Sequence, residues 1–180
     1  MPPRMRGFTL TELLIALAIA GILAMAGAPA MGNLLARTRD RGIESALSNG
    51  LRHARAAAVM HNARVVVCPS RDAHHCHPDD DWQHGWIIAR DADHDGQPDG
   101  NAALLATQPP MPPGTRVVTS NGRRQVTFHP NGGAGGSNVS FTICHARART
   151  GRMVVVANSG RVRLAQADAT HLAACLVGIP

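Results

Sequence analysis

The feature that most constrains the fold is a long apolar segment near the start of the chain. It runs from Phe8 to Ala36, and its only charged residue is Glu12. A helix needs about 20 apolar residues to cross a bilayer, whereas the apolar part of a secretory signal has only about 7–15. A helix buried in a soluble core is the alternative, but it does not account for the charged leader Met1–Gly7. The segment therefore predicts a helix that anchors the chain in a membrane.

The same helix is predicted to continue beyond the apolar segment as an amphipathic helix over residues 37–62. Ile43, Leu47, Leu51, Ala54 and Ala58 recur at helical spacing and therefore share one face. Polar residues occupy the other faces of this stretch. We expect the apolar stripe to pack against a sheet.

Residues 63–180 are predicted to form short strands separated by turns. Pro- and Gly-rich stretches such as Pro109–Gly114 and Asn131–Gly136 lie between runs of strand-forming residues. The sequence therefore predicts an α+β fold, with a long N-terminal helix packed on an all-antiparallel β head of about seven or eight short strands. The predicted strands are Arg64–Cys68, Gly85–Arg90, Ala103–Thr107, Thr115–Thr119, Gln125–His129, Val139–Cys144, Arg152–Ala157 and Val162–Ala165.

The four cysteines indicate two disulfides. Cys68, Cys76, Cys144 and Cys175 form an even set in a chain that begins with an export-type segment, which is typical of an oxidising compartment. Three pairings are possible. The short spacing of Cys68 and Cys76 suits a local loop, which leaves Cys144 to pair with Cys175. An oxidising compartment also implies that the N-terminus is cytoplasmic and that the head is exported.

Two clusters of side chains could hold a metal ion, and neither is complete. His74, His75, His77 and His84 lie near Cys76, but the spacing from Cys68 lacks the tight knuckle of a zinc site, so a solvated loop is favoured. Asp91, Asp93 and Asp95 match the start of a calcium loop, but Ala102 stands where such a loop has its bidentate Glu. Weak calcium binding stays open here, and an acidic turn between two strands is the favoured interpretation.

The basic residues of the last third suggest a surface that binds phosphate. All 18 basic residues are arginine and the net charge is +6, and guanidinium groups favour bidentate contacts with phosphate. Arg161 and Arg163 alternate along a predicted strand, about 6.5–7 Å apart, and could contact successive phosphates of one nucleic-acid strand. Gly160 before them could let a ligand backbone approach closely. Scattered surface arginine is the alternative. Further candidates on charge alone are Arg123, Arg124, Arg147, Arg149 and Arg152.

The segment Arg6–Leu13, RGFTLTEL, resembles the class III leader of type IV pilins and type II secretion pseudopilins. Within that superfamily the head is similar to the GspH/FimT group. The residues that carry this similarity are Val67–Ser70, Gly85–Ile88 with the acidic turn that follows, and Gly160–Arg163. The last of these segments most resembles the FimT type.

This resemblance implies how the chain is processed and assembled. The prepilin peptidase cleaves the leader, residues 1–7, after Gly7, and the new terminus at Phe8 is methylated. Glu12 pairs with the terminal amine of a neighbouring pilin, which compensates both charges. Residues 8–36 hold the subunit in the bacterial inner membrane before assembly into a pilus, and 63–180 form a periplasmic head.

The resemblance also implies a function. Minor pilins of the FimT type bind DNA and help naturally competent bacteria import it, which implicates Gly160, Arg161 and Arg163. The alternatives are a GspH-type minor pseudopilin, a structural tip subunit of the type II secretion system, and a minor pilin that only primes assembly. The chain lacks nucleophile-elbow, phosphate-loop and metalloprotease spacings, so neither an enzyme nor a cofactor is expected.

Overall fold

The computed structural model describes residues 9–120, 123–136, 138–145 and 151–177, without the side chains of 26–30, 32–37 and 40. The chain divides into two compact units, Met1–Thr38 and Arg39–Pro180. Helix α1 spans Leu10–Met60 and therefore has residues in both units. Across the described residues, we find no helix with the length and apolar character that crossing a membrane requires.

The part of α1 that belongs to the second unit buries the predicted apolar stripe. Ile43, Leu47, Leu51, Ala54 and Ala58 are all buried. Glu44 and Ser48, which the sequence places on the polar faces, are buried as well. The buried surface of α1 is therefore wider than the apolar stripe, and it includes a carboxylate.

The strands form two four-stranded sheets in which every pairing is antiparallel. The first sheet has the order β3-β2-β1-β5 and the second has the order β4-β6-β7-β8. This confirms the predicted α+β fold, and each predicted strand is present with its ends shifted by at most one residue. The strands are β1 Val65–Pro69, β2 Trp86–Arg90, β3 Leu104–Gln108, β4 Thr115–Thr119, β5 Val126–Phe128, β6 Val139–His145, β7 Arg152–Val156 and β8 Val162–Gln166.

One large core joins the second half of α1 to both sheets. It contains Leu47 and Leu51 from α1, Phe128 from the first sheet and Phe141 from the second. Trp82, in a short 3-10 turn, is fully buried, and its ring meets that of Phe141 edge to face with 4.8 Å between centroids. Such aromatic pairs add about 0.5–1.5 kcal/mol beyond the area that they bury, so Trp82 helps to hold the two sheets together.

A helix near the end of the chain, which the sequence pattern does not predict, packs against the second sheet. This helix, α2, spans Ala169–Leu176, and the Asp168 side chain caps it by accepting a hydrogen bond from the backbone N–H of His171. Cys175 of α2 is joined to Cys144 of β6 by a disulfide with a Cα–Cα distance of 6.1 Å. The second disulfide joins Cys68 to Cys76 at 5.4 Å. Both predicted disulfides are therefore present.

Candidate nucleic-acid interface

The segment Gly160–Arg163 lies at an edge of the second sheet. Strand β8 is the outermost strand, and Arg163 lies opposite Val155 of β7. Arg161 precedes β8, and its carbonyl accepts a hydrogen bond of 2.9 Å from the backbone N–H of Ala157. Both arginine side chains are exposed. The turn before β8 and the start of β8 therefore present one guanidinium group each to solvent, from Arg161 and Arg163.

Gly160 has a role that differs from the one suggested by the sequence. Its φ is +76°, and a Cβ at this position would lie 1.9 Å from the carbonyl oxygen of Gly132. The space beside Gly160 is thus filled by the protein's own backbone and is not left for a ligand. Glycine is required because only glycine combines this φ with so close an approach of another backbone segment, here the turn between β5 and β6.

The same contact positions a helix arginine beside Arg161. The Nε of Arg55 in α1 donates a hydrogen bond of 2.9 Å to the Gly132 carbonyl. Arg52 lies one helical turn earlier, on the exposed side of α1. A groove of about 580 Å³ runs between these elements, and its lining residues are Arg52, Arg55, Ala56, Val59, Met60, Asn131, Gly132, Gly160, Arg161 and Val162.

The groove is strongly basic. Arg52, Arg55 and Arg161 all line it, and no carboxylate among the described residues forms an ion pair with any of the three. An apolar wall accompanies them, since Val59 and Met60 are exposed. Arg52 and Arg55 were not among the predicted phosphate ligands, because their position on an exposed helix face resembles that of any solvated arginine. Only the fold brings them to Arg161.

The other predicted arginines occupy different surroundings. The guanidinium group of Arg152 contacts the buried carboxylate of Glu44, with Nε–Oε2 at 2.6 Å and Nη2–Oε2 at 2.5 Å. The structure therefore gives Arg152 a partner inside the protein instead of a phosphate. Arg123 and Arg124 lie between β4 and β5 and do not line the groove. Arg147 and Arg149 lie outside the described residues.

The histidine-rich loop is a network of His–Asp contacts. His75 Nδ1 lies 2.7 Å from Asp72 Oδ2 and His84 Nε2 lies 2.9 Å from Asp81 Oδ2. The side-chain hydrogen bond from His75 lowers the pKa of Asp72, and backbone N–H groups of the loop add to this effect. The sulfur of Cys76 is occupied by a disulfide. These contacts agree with the solvated loop that the sequence favours over a zinc site.

The residues predicted to take part in processing and assembly are only partly described. Gly7 and Phe8 lie outside the described residues. Glu12 lies in the first turn of α1, its side chain is exposed, and its backbone N–H is 3.4 Å from Thr9 Oγ1. Large apolar side chains of the same helix are also exposed, namely Leu10, Leu13, Leu14, Ile15, Leu17, Ile19, Ile22, Leu23 and Met25.

Solved structures with a similar fold include a pilus protein and a secretion-system protein. The type IV minor pilin FimU of Pseudomonas aeruginosa strain PAO1 is 22% identical, with a TM-score of 0.59 over 72% of this chain and 90% of that chain. The minor pseudopilin EpsH from the type 2 secretion system of Vibrio cholerae is 11% identical, with a TM-score of 0.54 over 71% of this chain and 97% of that chain. At these identities the likeness shows the fold.

Sequence families give a second comparison. The family described as type II transport protein GspH matches residues 45–160, which is more than half of the chain. The prokaryotic N-terminal methylation motif matches residues 2–28. No curated protein matches the chain. These matches confirm the resemblance to the GspH/FimT group and the prediction that the chain is not an enzyme. The chain belongs to the GspH family of pilin-like proteins with an N-terminal methylation motif, whose members are structural subunits.

Proposed function

We propose that this chain is a minor type IV pilin of the FimT kind, which binds DNA without sequence preference for uptake in natural transformation. The observation that carries the proposal is the groove in which Arg52, Arg55 and Arg161 meet without an ion-pair partner among the described residues. Arg163 extends the same positive charge along the edge strand β8.

Assembly into the pilus proceeds through α1. Exposed apolar side chains from Leu10 to Met25 need a partner that removes them from water. In the proposed function this partner is first the lipid of the bacterial inner membrane, with a periplasmic head, and then the corresponding helices of neighbouring pilins. Glu12 then compensates the N-terminal amine of the next subunit after cleavage between Gly7 and Phe8.

Electrostatics explains why these arginines would bind DNA of any sequence. Each guanidinium group that neutralises a phosphate releases a condensed counterion, so log K falls with log[salt] by about 0.9 per phosphate of duplex DNA. None of the described residues that line the groove is aromatic, so they offer no ring on which a base could stack. The proposed interaction is therefore with the backbone, salt-sensitive, and indifferent to base identity.

The test uses the full mature chain in detergent and a fluorescent 30-base-pair duplex of random sequence. Arg161→Gln combined with Arg163→Gln removes two phosphate contacts. We expect the affinity to fall at least tenfold at moderate salt and the salt slope to decrease by about 2. Arg52→Gln combined with Arg55→Gln is expected to have a similar effect through the groove.

A matched control separates this surface from net charge. Arg39→Gln with Arg41→Gln removes the same charge from exposed positions of α1, about 17 Å or more along the helix from Arg52. Affinity within about threefold of the native chain is expected. Unchanged affinity in the Arg161/Arg163 variant would show that the site is assigned wrongly. Equal losses of DNA affinity in all three variants would show that binding depends on the net charge and not on this surface.

A minor pseudopilin of type II secretion is the second candidate, because the matching family is described as type II transport protein GspH and EpsH shares the fold. Deleting the gene separates the candidates. A DNA-uptake pilin predicts that pili remain while transformation fails. Loss of protein secretion would instead identify a pseudopilin, and loss of pili would identify a subunit that primes assembly.

A further inference from the structure

The loop between β2 and β3 brings three carboxylates together. Asp91, Asp93 and Asp95 each offer an oxygen, and these oxygens lie within 4.8 Å of one another. At such distances, and with no ion pair to any of them among the described residues, the three negative charges repel each other. The sequence favours an acidic turn here, and the cluster alone would not change that interpretation.

The burial of Asp91 adds an independent observation. Asp91 is 0% exposed, and its Oδ1 accepts a hydrogen bond of 3.1 Å from the backbone N–H of Gly96. Its Oδ2 is buried and has no hydrogen-bond partner within the described chain. A buried carboxylate oxygen without a partner is costly. A cation held between the three carboxylates would supply the missing partner and remove the repulsion.

The backbone of the loop holds the carboxylates in the alternating arrangement of a calcium loop. Asp93 Oδ1 accepts from the N–H of Asp95 at 3.3 Å, and Asp95 Oδ1 accepts from the N–H of Gln97 at 2.7 Å. Gly96 has a φ of +81°, which permits the sharp turn at the sixth position of such loops. The Oδ2 of Asp99 accepts from the N–H of Ala92 at 2.6 Å and so closes the loop.

We infer that this loop binds one calcium ion through Asp91, Asp93 and Asp95. Hard oxygen ligands suit both calcium and magnesium, but calcium accepts six to eight oxygens in irregular geometry, whereas magnesium demands near-ideal octahedral geometry, so a site of three carboxylates completed by water suits calcium better. Ala102 leaves out the bidentate Glu of a tight site. The dissociation constant is therefore about 10⁻⁴–10⁻³ M, the range of extracellular calcium modules.

The bound ion would also stabilise the neighbouring disulfide loop. The Gln97 side chain accepts a hydrogen bond of 2.9 Å from the backbone N–H of Cys76 and donates one of 3.4 Å to the Cys76 carbonyl. Fixing residues 91–97 on an ion therefore fixes one partner of the Cys68–Cys76 loop. Calcium depletion is expected to loosen both loops together.

The experiment titrates calcium chloride into the full chain in detergent after removal of metal with EDTA. Calorimetry is expected to give one ion per chain with a dissociation constant of about 10⁻⁴–10⁻³ M. At 10 mM calcium the unfolding temperature should rise by about 3–11 °C, and 10 mM magnesium should give a smaller rise. Absence of binding at 10 mM calcium, or equal binding of magnesium, would overturn the inference.

Three variants that each remove one negative charge assign the site. Asp93→Ala removes one ligand and is expected to weaken binding at least tenfold, whereas Asp80→Ala, at another exposed carboxylate, should leave it unchanged. In EDTA, Asp93→Ala should unfold at or above the native temperature because one repelling charge is gone. Asp93→Asn keeps an acceptor for the Asp95 N–H and should show an intermediate loss. Calcium binding by both Asp93 variants within twofold of the native chain contradicts the assignment.

Discussion

The contact between Arg152 and Glu44 gives a sharp prediction about stability. Glu44 lies on α1 with its side chain 3% exposed, and Arg152 at the start of β7 is 36% exposed. The Glu44 Oε1 has no hydrogen-bond partner within the described residues, so the guanidinium group of Arg152 is the observed compensation for this buried charge. Replacing Arg152 with Met keeps most of the apolar volume and removes that compensation.

The expected cost follows from leaving the carboxylate alone. Removing one partner of a buried ion pair costs about 3–5 kcal/mol. We take the lower end, about 3 kcal/mol, because water reaches part of the Arg152 side chain and screens the pair. For a chain of this size about 1 kcal/mol corresponds to 2–4 °C. The unfolding temperature of Arg152→Met should therefore fall by about 6–12 °C.

The assay is thermal unfolding followed by circular dichroism on the full chain in detergent, with a double variant as the comparison. Glu44→Met combined with Arg152→Met leaves no buried charge and should be more stable than Arg152→Met alone. If Arg152→Met is as stable as the native chain, the reasoning is refuted. It is also refuted if the double variant loses as much free energy of unfolding as Arg152→Met and Glu44→Met lose together. DNA affinity of Arg152→Met should stay within about twofold of the native value.

Three further predictions concern other parts of the head. Gly160→Ala should lower the free energy of unfolding by about 3 kcal/mol in chemical denaturation, because a positive φ costs about 1–2 kcal/mol and the new Cβ displaces backbone; an unchanged stability would contradict this packing. Because its pKa is lowered, ionised Asp72 stabilises the fold above about pH 4, and this stabilisation is lost as the pH falls below that value. Asp72→Asn should therefore make the free energy of unfolding less dependent on pH below about pH 4. An unchanged pH dependence in this range would count against the His75 contact. Replacing Cys144 and Cys175 by Ser should lower the free energy of unfolding by about 4 kcal/mol, because the disulfide closes a loop with a sequence separation of 31 residues. An equal unfolding temperature of the native chain with and without reductant would contradict this stabilisation.

Local patterns of the sequence predicted much of the fold. The spacing of Ile43, Leu47 and Leu51 identified the buried face of α1, because helical periodicity is a property of neighbouring residues. Runs of β-branched residues between Gly- and Pro-rich turns identified the strands, with ends accurate to about one residue. Helix α2 was missed, because Ala169–Leu176 is short and its stability comes from packing and from the disulfide to Cys144.

The candidate site was predicted less completely. Arg161 and Arg163 could be selected from the sequence because only Val162 separates them, in a segment that resembles the FimT type. Arg52 and Arg55 could not, because they are separated from Arg161 by more than a hundred residues and meet it only after α1 has packed beside Gly132. Arg152 has the same charge as Arg161 and Arg163 and lies close to them in the sequence, but in the fold it contacts Glu44.

The sequence by itself determined the family of the chain, the α+β fold and the presence of two disulfides, because each of these depends on residue type and on short-range spacing. The tertiary structure decided which charges act on what. It placed Arg152 on a buried carboxylate, Arg52 and Arg55 beside Arg161, and in the acidic loop an oxygen of Asp91 that has no hydrogen-bond partner among the described residues. These outcomes depend on burial and on contacts between segments that are distant in the sequence. The residue type of an arginine or aspartate does not indicate its burial or its contacts.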